Sequence, residues 1–157
     1  MTLNKVKELA LILMEKHGLL DNGWTFRFDK AKRRYGCCMY SKKIISLSSP
    51  LAELREMANV KNTILHEIAH ALVGSGHGHD EVWRVKALKI GCNGNRCSSD
   101  VSLKGNWVGE CPNGHVSYKH RIPKRKMSCG VCYPKKFDSK YLITFKKKKN
   151  EQHSVLS

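Results

Sequence analysis

The chain has 157 residues, 41% of them hydrophobic, which suits one ordinary domain or one compact domain plus a small module. That content excludes wholesale disorder, and the chain contains no run of about 18 apolar residues to span a membrane. Twenty-nine Lys and Arg against thirteen Asp and Glu give a net charge of +16, so a polyanion, nucleic acid foremost, is the expected partner.

Leu3, Val6, Leu9, Ala10, Leu13 and Met14 recur at spacings of three and four, which predicts an amphipathic helix over 3–17 that Gly18 ends. The same stretch interleaves Lys5, Lys7, Glu8, Glu15 and Lys16 with apolar residues, unlike a signal peptide. An intracellular protein is expected, cytoplasmic or in the nucleoid or nucleus according to host. Asp21-Asn22-Gly23 marks a turn. Trp24–Phe28 alternates apolar and polar residues as a strand does. Tyr35–Tyr40 and Ile44–Ser48 follow as two more strands around a turn at Ser41-Lys42, predicting a three-stranded antiparallel meander. Ser49-Pro50 predicts a helix start, with Ser49 as N-cap and Pro50 in the first turn. The stretch from about Val60 to Val73 has the strongest helical pattern, and Gly74, Gly76 and Gly78 break it. Asp80–Ile90 predicts a further short helix offering Val82, Trp83, Val85 and Leu88 to a core.

Beyond Gly91 glycine, cysteine and lysine dominate, and a boundary is expected near 100–106. Residues 1–103 carry sixteen basic and ten acidic side chains, whereas 104–149 carry thirteen basic and two acidic. This places a domain at 1–103, a small module at 104–145 and a basic, polar tail at 146–157. Seven cysteines, an odd number, point in a reducing compartment to metal or free thiols rather than a disulfide framework.

The helix over 60–73 contains His66-Glu67-Ile68-Ala69-His70. Four residues make slightly more than one helical turn, so both imidazoles leave one face at a separation suited to a single tetrahedral zinc. Glu67, beside the first ligand, is placed to take a proton from a zinc-activated water during attack on a carbonyl. A catalytic zinc keeps three protein ligands and one open position. His77 and His79 are the candidates for the third, and spacing alone leaves both open. Cys111-Pro-Asn-Gly-His115 and Cys129-Gly-Val-Cys132 are two short turns, each bringing two soft ligands together. They predict a structural Cys₃His zinc site whose metal would supply much of the module's folding free energy. Cys92 and Cys97 have no second pair nearby. Cys37 and Cys38 fall on opposite faces of a strand, at least one of them as a buried apolar residue. Neither pair is assigned a ligand role. Lys119, Arg121, Lys124, Arg125, Lys126, Lys135 and Lys136 are the candidate phosphate contacts, sequence-independent and salt-sensitive.

Together these features resemble the SprT-like metalloproteases, the group that includes the eukaryotic Spartan proteases. The resemblance spans about Trp24 to Tyr133. Its parts are Ile44-Ile45-Ser46-Leu47-Ser48, the helix Leu65–Leu72, the segment Gly78-His79-Asp80-Glu81-Val82-Trp83 and the terminal ribbon. It implies an α+β fold: a minimal zincin-like metalloprotease domain, its helices packed on a small antiparallel meander, followed by a small zinc ribbon. In that family the third zinc ligand is a histidine that follows glycine and stands four residues before an aromatic. The resemblance therefore selects His79, with Trp83 in register, over His77. The first knuckle, Cys-Pro-Asn-Gly-His, departs from the closely spaced cysteines common in the family. Family members take part in DNA-dependent proteolysis, including removal of proteins crosslinked to DNA. The resemblance thus implies a DNA-associated zinc endopeptidase with one catalytic and one structural zinc. Two other classes fit the same motifs: a nucleic-acid-binding zinc protein with an inactive or structural HExxH segment, and a metalloprotease specific for one regulator without DNA coupling.

Overall fold

The structure, a computed structural model, describes residues 2–148. The chain divides into two compact units, Met1–Leu103 and Lys104–Ser157. Helices and small sheets together make an α+β protein. No helix among the described residues is long and apolar enough to cross a membrane.

In the first unit α1 (Leu3–Lys16) buries Val6, Ala10, Leu13 and Met14, the stripe its spacing foretells. Three strands follow: β1 (Thr25–Asp29), β2 (Gly36–Met39) and β3 (Ile44–Ser48). Their order is β1-β3-β2, with β1 parallel to β3 and β2 antiparallel to it. The expected antiparallel meander is therefore corrected, because β3 and not β2 lies in the centre. A central strand is paired at both edges and covered on both faces. Only β3 meets that demand: Ile45 and Leu47 are buried on one face, Ser46 and Ser48 on the other. The two serines are tolerated because they are satisfied. Ser46 Oγ donates to Asp29 Oδ2 (2.7 Å) and Ser48 Oγ to the Ala31 carbonyl (2.6 Å).

The short helix α2 (Ser49–Ala52) is capped by Ser48, whose Oγ accepts from the Leu51 N–H (3.2 Å). The cap thus sits one residue earlier than expected, which leaves Ser49 inside the first turn. The long helix α3 (Met57–Val73) buries Val60, Ile64, Leu65, Ile68 and Ala69 in the core. It ends at Gly74, whose φ of +84° suits a residue without Cβ. Helix α4 (Glu81–Lys89) is capped by Asp80, whose Oδ1 accepts from the Trp83 N–H (3.1 Å). Of the four residues expected in its core face only Trp83 is buried; Val82, Val85 and Leu88 are each more than half exposed. Trp83 and Ala87, four residues apart, suffice to seat so short a helix.

In the second unit β4 (Trp107–Glu110) pairs antiparallel with both β5 (Val116–Lys119) and β6 (Thr144–Lys147), giving the order β5-β4-β6. Lys146 and Lys147, expected in the tail, belong to β6. Lys148 is the last described residue, and the rest of the expected tail lies outside the described residues.

Candidate active site

His66 and His70 lie one turn apart on α3, and the loop after Gly74 returns His79 to them. The three Nε2 atoms converge: 3.3 Å from His66 to His70, 3.2 Å from His70 to His79 and 2.9 Å from His79 to His66. Three nitrogens on a tetrahedral zinc at Zn–N of about 2.0–2.1 Å would stand about 3.3 Å apart. The donor set and its spacing therefore fit one zinc ion with an open fourth position. Burial first, then the neighbouring imidazoles, push His66 down to about 4, and burial followed by His79 does the same to His70. His79 is lowered too, by burial and by the Arg96 charge. All three rings are thus neutral near pH 7, with lone pairs free for a metal.

Trp83 forms the floor of this cluster. Its ring stacks on His70 at 5.2 Å between centroids and 25° between planes, and meets His66 and His79 at 4.6 and 4.7 Å. Its indole N–H donates to the His66 carbonyl (3.4 Å). One side chain from α4 thereby packs all three rings, and it does so from a position fixed by the Asp80 cap. Asp80 also holds His77, whose Nδ1 lies 3.0 Å from Asp80 Oδ2. His79 joins the cluster and His77 does not.

Glu67, the residue after His66 on α3, is buried, with its side chain against Gly36 of β2. Burial pushes its carboxyl up to about 7, against a smaller downward pull from the Arg34 guanidinium. Arg34 is held by Asp29 at 2.8 Å. The same stretch brings Cys38 near: burial, aided by the Glu67 charge, pushes its thiol up to about 12, so it stays an apolar filler against the core. Cys92 is buried and Cys97 exposed, and neither joins a metal-binding cluster among the described residues. The sequence uses Trp83 only as the aromatic in register with His79 and as a core residue, not as the floor under three imidazoles, and it says nothing of Gly36, which abuts Glu67. Trp83 had a signal, being the one aromatic in α4; Gly36 had none.

The second unit gathers Cys111, His115, Cys129 and Cys132 into one cluster. His115 Nδ1 lies 3.4, 3.5 and 3.4 Å from the Sγ atoms of Cys111, Cys129 and Cys132, and Cys111 Sγ is 3.8 Å from Cys132 Sγ. Tetrahedral Zn–S bonds of about 2.3 Å imply sulfur separations near that value. The first knuckle closes through Gly114, whose φ of +84° permits the turn and whose N–H donates to the Cys111 carbonyl (2.9 Å). The His115 N–H then donates to Cys111 Sγ (3.3 Å). In the second knuckle the backbone N–H of Cys132 holds the Cys129 thiol below its ordinary value, against the opposing effect of burial. All four donors fit a closed, structural Cys₃His zinc site. Lys119, Arg121, Lys124, Arg125, Lys126, Lys135 and Lys136 are all exposed. None of the seven forms an ion pair among the described residues.

No curated protein matches the chain significantly. A model of the SprT-like family matches residues 8–103. That span is more than half of the chain. It holds α3, α4 and every donor of the imidazole cluster, and it stops before the ribbon cysteines. The first unit is thus a metalloprotease-like domain, and the chain belongs to the SprT-like family.

Proposed function

We propose that the protein is a zinc-dependent endopeptidase that works on DNA, cleaving proteins bound or crosslinked to it. The observation that carries the catalytic half is the convergence of three imidazole Nε2 atoms within 2.9–3.3 Å on the helix that also bears Glu67. A zinc ion held there supplies a Lewis acid for the scissile carbonyl and an activated water. His66, His70 and His79 hold it, and Trp83 keeps their rings in place. Glu67 accepts the proton of the attacking water and returns it to the leaving amine. The Cys111, His115, Cys129 and Cys132 cluster holds a second, structural zinc. The DNA half draws support from thirteen basic against two acidic residues over 104–149 and from the seven exposed, unpaired cations named above. Their contacts would be with phosphates, independent of sequence.

Glu67→Gln tests the first half. It should keep its zinc and lose roughly a hundredfold or more of turnover on a denatured protein substrate. A variant that cleaves at the wild-type rate refutes Glu67 as the base. For the second half, DNA should stimulate cleavage at low salt, and the stimulation should fade as salt rises. Cleavage indifferent to DNA at every salt concentration removes the coupling and leaves the protease.

A further inference from the structure

Gly36 opens β2 with no conformational reason to be glycine. It is absent from the residues with positive φ, and it pairs with Leu47 in regular antiparallel register. Glycine weakens a strand through backbone entropy and through the missing side chain. The space beside it is taken by Glu67. A Cβ placed on Gly36 would lie 2.9 Å from Glu67 Oε1, 3.0 Å from Glu67 Cγ and 3.1 Å from Leu47 Cδ2. The outer half of the glutamate therefore fills the volume that any other residue at position 36 would occupy.

We infer that Gly36 is a positioning residue for Glu67, its absent side chain forming the slot that holds the carboxylate. The inference rests on the reading of Glu67 as general base. Two of the three close atoms belong to the Glu67 side chain, one of them its terminal carboxylate oxygen. That side chain can swing away, so a methyl group at position 36 disturbs the fold little while displacing the carboxylate. A base must lie within hydrogen-bond reach of the proton it takes. None of the three imidazoles is among the atoms that a Cβ at position 36 would meet first. Metal loading and substrate affinity should accordingly survive the change, and the chemical step should not.

The test compares wild type, Gly36→Ala and Glu67→Gln on a denatured protein substrate, reading kcat, KM, zinc content and thermal midpoint. Gly36→Ala should lose roughly ten- to a hundredfold in kcat, the penalty of a misplacement near 1 Å. Its zinc content should be that of wild type, with KM within about twofold. Wild-type kcat in Gly36→Ala overturns the inference, and so does an activity loss that follows loss of zinc. If Gly36→Ala fails to fold, Gly36→Ala/Glu67→Ala decides. Truncating Glu67 clears the slot, so recovered folding supports the inference and a still unfolded double variant overturns it. If wild type itself cleaves nothing, the protease reading has failed on its own. The slot is then read from thermal midpoints: the drop caused by Gly36→Ala should shrink in a Glu67→Ala background. An equal drop in both backgrounds overturns it.

Discussion

His77 and His79 stand two residues apart in one loop and meet different fates. Asp80 engages the first at 3.0 Å, while the second reaches within 3.2 Å of the other two imidazole nitrogens. The distinction is local: Asp80 caps α4 with one oxygen and fixes His77 with the other, which leaves the intervening residue aimed at α3. A zinc held by three ligands loses much of its affinity when one is removed. His79→Ala should therefore fall from about two zinc ions per chain to about one, while His77→Ala keeps both. His77 and Asp80 form an exposed pair, so His77→Ala should leave stability nearly unchanged. Metal content measured by mass spectrometry on the two variants decides. Loss of zinc from the His77 variant alone would reverse the assignment.

At the level of elements, the stretch that closes the first unit has no helix or strand of its own and depends on one clamp. Arg55, between α2 and α3, is 5% exposed. Its Nε and Nη2 donate to the two oxygens of Asp100 (2.7 and 2.9 Å), and its Nη1 donates to Thr63 Oγ1 (2.7 Å). The guanidinium also sits 3.8 Å from the centre of the Tyr35 ring, and the Val101 N–H donates to the Tyr35 hydroxyl (3.1 Å). Asp100→Asn leaves a buried guanidinium half-satisfied and should cost about 1–3 kcal/mol, less than a fully buried pair because the carboxylate is partly solvated. The Arg55 hydrogen bonds hold the Asp100 carboxyl below the usual carboxylate range. A lowered carboxylate contributes stability that is complete above its unfolded value of about 3.9 and disappears as pH falls through the folded value. Denaturant midpoints should thus separate wild type from Asp100→Asn at pH 6 and converge progressively as pH falls from about 3.9 through the lower folded value. A gap that stays constant with pH would rule the ion pair out as its source. This clamp shows why the sequence was only partly legible. The helix α3 and its histidines could be read because their period and spacing are local, and so could the ribbon knuckles. Arg55 and Asp100 are 45 residues apart, and nothing near either announces the other. Nothing local marks the hydroxyls of Ser46 and Ser48 for the interior, yet both are buried. That burial is what puts β3 in the centre, and it depends on Asp29 and Ala31 from another part of the chain. Gly36 is silent for the same reason, since its partner Glu67 arrives only on folding.

Each of the two units is stabilised internally by a different force. The first has a continuous apolar core that runs from Val6 through Trp83 to Cys92, with the three imidazoles packed on Trp83 at its edge. In the second the buried hydrophobic residues, among those described, are Cys111 and Cys129. Val116, Ile122, Val131 and Phe137 are more than half exposed. A module this short with its ligands as its interior cannot bury enough apolar surface to offset chain entropy. Its thirteen basic residues add self-repulsion once the cation-binding thiolates are protonated and free. On the proposed reading, zinc bound by Cys111, His115, Cys129 and Cys132 carries its folding. Chelation should therefore act selectively. After treatment with a strong zinc chelator, amide hydrogens of β4, β5 and β6 should exchange at rates close to those of an unfolded chain. Amides in the buried turns of α1 and α3 should keep their protection, because His66, His70 and His79 lie at the edge of a core that does not need them. Hydrogen exchange read by mass spectrometry resolves the two sets. Protection that persists in β4–β6 with both zinc ions removed would mean that the ribbon is held by its sheet alone, and the metal would then be decoration on a self-sufficient fold.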